Sequence, residues 1–438
     1  MDQGGAFVPV IGVTKLGKTT LIKDLMERGD HIYIPAQDLL EGTTALWSQL
    51  ATALDLPTAT TTGRVTGDKS TWGFFSKFGV KVPGLGVETG ANVGGEHKDE
   101  KSRSSTHDVE LSVAVKDALR LLSAHAAEHG QPPPVVVLDD FHFVTDTATR
   151  KQILLAMRPI MENDATLILA SLPGREHDPA YIGTNLDGRL NPISVPRWTN
   201  DELREIATRG FETLKVATQP GVIDRLIEQS YGSPQIMQHL CLQLCRMNGV
   251  KDDNSGVGVL DSPDDWDRFF RQLKDSQSVK WLERLGLGLL ERGTPRNRAT
   301  LPDGRTFDGY QLILWAIHEM GSPTEVHFTA VTAKIASLLS VSASDLRTYA
   351  LEAKAKNMNT VATRDMKDAL AKHGMTDDGV DETALFTPEE IEMAELIPQP
   401  VFEVSGDKAA EMILRIQNPL LAYALTWHPE SFETSPKV

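Results

Sequence analysis

The run Gly12-Val13-Thr14-Lys15-Leu16-Gly17-Lys18-Thr19 constrains this chain more than any other stretch. It follows the pattern G-x-x-x-x-G-K-[ST]. An apolar run, Ala6 to Val13, leads in as a strand, and Thr19 to Arg28 leads out as a helix. A strand that feeds a glycine loop opening a helix is the start of a parallel βα sheet. The N–H groups of such a loop and the helix N-terminus make a concave anion site. Gly12 and Gly17 supply turn geometry that a Cβ would obstruct. Lys18 is expected to reach the β- and γ-phosphates of a nucleotide, and the Thr19 hydroxyl to ligate Mg²⁺. The expected nucleotide contacts are therefore Gly12, Val13, Thr14, Lys15, Leu16, Gly17, Lys18, Thr19 and Thr20. The alternative is a glycine-containing turn that fits the pattern by chance.

A second element bears on that choice. Gln131-Pro132-Pro133-Pro134 interrupts the chain and is followed by Val135-Val136-Val137-Leu138-Asp139-Asp140. A continuous β-branched run reads as a strand buried on both faces, as in a parallel sheet. Carboxylates at the C-terminal end of such a strand face the crevice where open α/β sheets bind ligands. Asp139 is expected to hold Mg²⁺ through water, because Mg²⁺ gives up its water reluctantly. Asp140 is the candidate to orient or deprotonate an attacking water. A strand-end pair that merely caps the next turn is the plainer alternative. Beside the phosphate loop, the nucleotide reading is favoured.

With 438 residues the chain is long enough for two or three domains with substantial cores. Its formal net charge of −16 opposes nucleic acid and anionic membrane, so any DNA contact needs a local basic face. Cys241 and Cys245 are its only cysteines. Four apart on one helix, they are poorly placed for a disulfide, and no His at metal-ligand spacing completes a zinc site. They are expected to be core residues of a cytoplasmic protein in a reducing compartment. No apolar run approaches the roughly 20 residues of a membrane span. The N-terminus lacks the basic region of a secretory signal.

Along the chain, residues 6 to 56 read β–α–β–α, with a second strand from His31 to Ala36 and a helix from Thr44 to Asp55. Residues 57–106 read as an inserted excursion, with a candidate hairpin around Phe78-Gly79-Val80-Lys81-Val82. Trp72, Phe74, Phe75 and Phe78 argue for burial or a contact surface there. An amphipathic helix from Val109 to His129 precedes the Asp-Asp strand, and a helix from Thr147 to Asn163 follows it. The next buried strand is Thr166 to Ser171, then a strand from Pro192 to Pro196. Arg175 and Arg189 lie between these two strands, where a cation can reach a phosphate of its own or a neighbouring chain; simple solvation is the alternative. From Thr199-Asn200-Asp201-Glu202 the chain turns helical, with an N-cap and early acids. Tyr231-Gly232-Ser233-Pro234-Gln235 ends one helix and starts another. Lys251 to Asp265 reads as a linker. Further on, a helix from Val326 to Leu339, the turn Ser340-Val341-Ser342 and a helix from Ala343 to Lys356 have helix-turn-helix spacing. The second helix carries Arg347, Lys354 and Lys356, but also Asp345 and Glu352. Val401 to Val404, the turn Ser405-Gly406-Asp407-Lys408 and Met412 to Ile416 are a candidate wing. The acidic stretch Asp377 to Glu395 between them suits phosphates poorly.

Gly12–Thr19, Asp139–Asp140, the strand ending at Ser171 and Gly232-Ser233-Pro234 together resemble one family. It is the STAND branch of AAA+-like P-loop ATPases, similar also to archaeal replication-initiator ATPases. The resemblance covers residues 6 to 248, and a C-terminal winged helix extends it more weakly. Asn418-Pro419-Leu420-Leu421-Ala422-Tyr423 looks like the closing helix of the winged domain in archaeal-type ATPases. The resemblance implies a P-loop NTPase parallel sheet of the AAA+-like kind (residues 1–197), a helical lid (198–250), a linker and helical region (251–320), and a winged-helix-like domain with an acidic insert (321–438). It implies that Gly232 and Pro234 of the lid contact bound nucleotide and that Ser171 senses the terminal phosphate; a plain strand-end serine fits Ser171 as well. The chain departs from the pattern in three ways. Only 11 residues precede Gly12, fewer than relatives have to cover the adenine, so those contacts stay open or the chain is a fragment. Gln235 stands where replication initiators tend to carry an arginine. Asp140 replaces the Glu of fast AAA+ hydrolases.

The expected function is that of an ATPase: a slowly hydrolysing, Mg²⁺-dependent, nucleotide-controlled switch, with ATP or ADP bound. It would associate with itself or with a protein partner, as bacterial relatives do in signalling and defence. The alternatives are a DNA-binding ATPase of the initiator or transposition-regulator type that uses the winged helix, and a scaffold that holds ATP without hydrolysing it.

Overall fold

The computed structural model describes residues 5–25, 31–54, 56, 100–144, 146–162, 165–172, 191–253, 256–289, 296–363 and 400–433. By its contacts the chain divides into two units, Met1–Gly12 with Lys18–Val195 and Val13–Gly17 with Pro196–Val438.

The first unit is built on β1 (Phe7–Ile11), α1 (Lys18–Leu25), β2 (His31–Pro35), α2 (Thr43–Ala53), α3 (Glu100–Glu128), β3 (Val135–Asp139), α4 (Thr147–Glu162), β4 (Thr166–Ser171) and β5 (Ile193–Ser194). Its five strands lie in the order β2-β3-β4-β1-β5, and every pairing is parallel. This is the α/β sheet with a phosphate loop that the sequence leads one to expect. Parallel neighbours need helical crossovers, which cover both faces of the sheet and require strands that are apolar throughout. Accordingly β1, β3 and β4 are buried along their whole length. The period-two alternation of a strand divides their side chains between two cores. Val136, Leu138, Leu167 and Leu169 join Leu46, Leu50, Leu119 and Met157 of the helices on one face. Val135, Val137, Ile168 and Ala170 join Val8, Val10 and Ile22 of α1 on the other.

Several expected boundaries move. The helix expected from Val109 starts at Glu100, because no Gly or Pro interrupts its 29 residues. Residues 100–106 of the supposed excursion are therefore helical. Residues 57–99, with the candidate hairpin at Phe78–Val82, lie outside the described residues. The strand expected from Pro192 to Pro196 is regular over Ile193–Ser194, which pair with Val10 and Ile11, and the Val195 N–H donates to the Ile11 carbonyl at 2.6 Å.

The second unit begins with helices α5 (Asn200–Thr213), α6 (Val222–Glu228) and α7 (Pro234–Met247). Thr199 and Glu202 form a reciprocal capping box on α5, and Ser233 caps α7 with Pro234 at its first turn. Their apolar faces meet at Leu203, Phe211, Leu226, Ile236, Leu240 and Leu244, and at Phe269 and Phe270. Cys241 and Cys245 are free thiols buried in α7, and burial pushes the Cys241 thiol up to about 12. The supposed linker contains a strand: β7 (Val259–Leu260) pairs with β6 (Ala217–Thr218).

Beyond α8 (Trp266–Arg271), α9 (Ser276–Leu287) and the short β8–β9 pair (Ala299–Thr300, Thr306–Phe307) comes α10 (Gly309–Glu319), which is apolar and buried over Gly309–Ile317. It is followed by β10 (Glu325–His327), α11 (Phe328–Leu339), α12 (Leu351–Thr363), β11 (Phe402–Ser405), β12 (Ile413–Ile416), α13 (Pro419–Trp427) and α14 (Glu430–Glu433). An antiparallel sheet of order β10-β12-β11 packs with these helices around Trp315, Val331, Met358, Phe402 and Leu414. The hairpin β11–β12 lies where the wing was expected, turning through Gly406 at φ 92°.

Two expectations here are corrected. Val326 and His327 belong to a strand, because Val326 pairs with Leu414 and His327 with Ile413, so α11 starts at Phe328. The second helix starts at Leu351 rather than Ala343. Asp345 accepts hydrogen bonds from the Ser342 N–H and hydroxyl at 3.1 and 2.6 Å, which holds the chain in a local turn. A 3₁₀ turn, Asp345–Tyr349, then ends at Ala350 with φ 48°, a conformation no α-helix continues through. The acidic stretch Asp377–Glu395 lies outside the described residues.

Candidate functional site

The site residues of the first unit gather at the C-terminal ends of β1, β3 and β4. Gly12 follows β1, and its N–H donates to the Ser171 carbonyl at 3.2 Å. Ser171 ends β4 opposite Ile11 and is buried. The two loop glycines are required for different reasons. A Cβ on Gly12 would stand 2.8 Å from the Val195 carbonyl oxygen, so the position needs its lack of a side chain. Gly17 has open space around it but φ +89°, so it needs freedom of backbone instead.

Lys18 opens α1 and is only 5% exposed. Its ammonium donates to the Gly12 carbonyl at 2.7 Å. Burial pulls its pKa down to about 8, against the opposing pull of Asp140 and Asp139. It is thus a desolvated cation folded across its own loop, a group suited to phosphate oxygens. Thr19 follows, and its hydroxyl donates to Asp139 Oδ2 at 2.6 Å, although the two residues are 120 positions apart.

Asp139 ends β3 and is 2% exposed. Its Oδ2 also accepts from the Tyr33 hydroxyl at 2.5 Å, and its Oδ1 from the Asp140 N–H at 2.9 Å. A hydroxyl and a carboxylate side by side are hard oxygen donors, the kind Mg²⁺ takes, so Thr19 and Asp139 fit that ion. Asp140 has a left-handed backbone, φ 53° and ψ 39°, which ends the strand's extended conformation. That carboxylate is about two-fifths exposed, with Oδ1 3.9 Å from Nδ1 of the buried His142. Arg150 braces the turn that follows, donating to the Val144 carbonyl at 2.8 Å and to Thr147 Oγ1 at 3.0 Å.

Val13–Gly17 belong by their contacts to the second unit. The Thr14 N–H and hydroxyl donate to the Gln417 carbonyl at 3.2 and 3.1 Å, and the Trp198 indole donates to the Leu16 carbonyl at 3.2 Å. Ser233 Oγ reaches the Lys15 carbonyl at 3.4 Å. Gly232 has φ +69°, and a Cβ there would stand 2.9 Å from Arg197 Cβ. Its carbonyl accepts from the Trp198 N–H at 3.1 Å, while Arg197 donates to the Tyr231 carbonyl at 3.1 Å. Burial lowers the Arg197 pKa. Pro234 is buried at the first turn of α7. Arg175 and Arg189 lie outside the described residues.

Sequence reasoning passed over Tyr33, Trp198 and Gln417. Tyr33 reads as an ordinary aromatic in an alternating strand, and the pairing of β2 with β3 brings it to Asp139. The roles of Gln417 and Trp198 run through a backbone carbonyl and an indole N–H, which leave no motif.

No family model matches the chain, and no curated protein does. Among solved structures it is similar to a Walker-type ATPase of Pyrococcus abyssi, at 13% identity over 96% of this chain and 90% of that one, with a TM-score of 0.43. It is similar to the ORC2 protein of Aeropyrum pernix in ADPNP–ADP complexes, at 12% identity over 98% and 87%, TM-score 0.38. It is also similar to the RuvB Holliday junction branch migration motor of Thermotoga maritima, at 16% identity over 80% of each chain, TM-score 0.34.

Proposed function

We propose that the chain is an AAA+-like ATPase that binds ATP and Mg²⁺ through Gly12–Thr20 and Asp139 and hydrolyses slowly. The observation that carries this reading is the 2.6 Å hydrogen bond from Thr19 to Asp139 beside the desolvated Lys18, at the end of a parallel sheet. The loop N–H groups and Lys18 would bind the phosphates, and Thr19 and Asp139 would hold the metal ion. The bound ion would supply charge neutralisation for the phosphoryl group being transferred. Asp140, exposed enough to touch water at the end of β3, is the residue to orient the attacking water. An Asp reaches less far than a Glu, which suits slow turnover and a nucleotide state that lasts. Ser171, Arg175 and Arg189 remain candidates for sensing or stabilising the terminal phosphate, and Gly232 and Pro234 for contacting the nucleotide.

A long-lived nucleotide state is what a switch of the STAND kind needs, with ATP and ADP favouring different arrangements or assemblies. The order α10–β10–α11–α12–β11–β12 supports a winged helix in the second unit. A second reading uses that module on DNA, favoured by Lys354 and Lys356 on α12. Lys356, however, pairs with Glu352 at 2.8 Å and donates to the Asp407 carbonyl at 2.8 Å, which favours a protein partner. Duplex binding that falls steeply with salt would decide for DNA.

Thermal unfolding of wild type and Lys18→Ala with Mg-ATP tests the nucleotide site. At 100 times its Kd the ligand should stabilise wild type by about 2.7 kcal/mol, with little effect on the variant. Equal shifts in the two proteins would sink the assignment.

A further inference from the structure

Asp139 is held on both oxygens, and one of the groups that holds it belongs to no motif. Tyr33 pairs with Val137 in the parallel register of β2 and β3. Paired residues point to the same face, and so do Val137 and Asp139, two apart on one strand. Tyr33 therefore reaches along that face, and its hydroxyl meets Asp139 Oδ2 at 2.5 Å, the same oxygen that accepts from Thr19. The ring is fixed from the other side as well, with Lys23 Nζ of α1 4.5 Å from its centroid. One aromatic side chain thus spans the helix that follows the phosphate loop and the strand that carries the carboxylate.

A phenylalanine would fill this space equally well, so packing does not call for the hydroxyl. The terminal torsion of an aspartate is soft, and a carboxylate at a strand end swings unless something holds it. A donor that fixes one oxygen sets the plane of the group and directs its remaining lone pairs. A phenol ordinarily ionises at about pH 10, so at neutral pH its hydroxyl has a proton to donate. Partners of this kind, one step removed from a metal, commonly change its affinity by about 10- to 100-fold.

We propose that Tyr33 is a positioning residue for the divalent metal, its hydroxyl orienting the Asp139 carboxylate together with Thr19. This rests on reading the site as one for Mg²⁺ and nucleotide. The test uses the full chain as wild type, Tyr33→Phe, Asp139→Asn and the double variant. Binding of a fluorescent ATP analogue is titrated in EDTA and across a Mg²⁺ series, and bound Mn²⁺ is read by electron paramagnetic resonance. Tyr33→Phe keeps the ring and is expected to match wild type in melting temperature and in metal-free nucleotide affinity. It should need about 10-fold more Mg²⁺ or Mn²⁺ for half-saturation. In the Asp139→Asn background it should add nothing, since the residues act as one unit. The inference is overturned, with the site reading intact, if wild type responds to metal and Tyr33→Phe matches it within twofold. It is likewise overturned if Tyr33→Phe weakens metal-free binding as much as metal-dependent binding. A wild type that binds no analogue with or without metal overturns the site reading and the role of Tyr33 with it.

Discussion

Asp139 in the first unit and Asp308 in the second are both buried carboxylates, 2% and 5% exposed, and they are satisfied in different ways. Asp308 caps α10. It accepts the Tyr310 and Gln311 N–H groups at 2.8 and 3.1 Å, and Arg296 sits 2.9 Å from its other oxygen. Its charge is answered by a fixed guanidinium and by the helix terminus. Asp139 instead accepts from the hydroxyls of Thr19 and Tyr33 and from one peptide N–H. Hydroxyls orient a carboxylate without neutralising it, and the cation near Asp139 is the Lys18 ammonium, which donates to the Gly12 carbonyl. A buried acid closed by a guanidinium and a helix N-terminus is part of the architecture. A buried acid held by hydroxyls at the end of a parallel strand fits the metal-holding role proposed for Asp139.

Four substitutions can break or sharpen that contrast. The largest effect is expected from Asp308→Ala, which strips the cap from α10 and takes from Arg296 its carboxylate, leaving it the Leu287 and Leu289 carbonyls. Urea denaturation should show a loss of about 3 kcal/mol, the low end for breaking a buried pair. Asp139→Asn, measured the same way without nucleotide or metal, should cost about 1 kcal/mol or less, since the amide keeps a hydrogen-bonding oxygen. Equal losses would mean that both acids are structural.

Gly12→Ala comes next. Its Cβ would meet the Val195 carbonyl at 2.8 Å, and a backbone oxygen yields little, so a destabilisation of about 1–3 kcal/mol is expected by calorimetry. An unchanged melting temperature would show that the loop has room to shift. The smallest effect belongs to the surface of the second unit. Lys356→Ala breaks a pair whose side chains are nearly half exposed, and chemical denaturation should register about 0.5 kcal/mol or less. A loss of several times that size would mark the pair as part of something larger than a solvated helix face.

Those contrasts also trace how far the sequence could be read. The loop from Gly12 to Thr19 was legible because its parts are contiguous: apolar strand, glycine turn, lysine, hydroxyl, helix. The strand Val135–Asp139 was legible because only burial on both faces accommodates an unbroken β-branched run. The helix start at Thr199 followed from local hydrogen bonding, and the caps at Ser233 and Asn418 emerged with the structure. The break before Leu351 was harder to read, because the sequence over Ala343–Lys356 is compatible with a helix. The Asp345 side chain and the left-handed Ala350 interrupt it.

By itself, then, the sequence determined a βα phosphate loop, a strand ending in two carboxylates, and the chemistry that those groups share. Each is written in neighbouring residues, where steric rules and short-range hydrogen bonds decide the outcome. The tertiary structure alone decided which hydroxyls close on Asp139. Strand order and register are set by how whole sheet faces bury, and no local pattern around Tyr33 records that its strand lies against the one ending in Asp139.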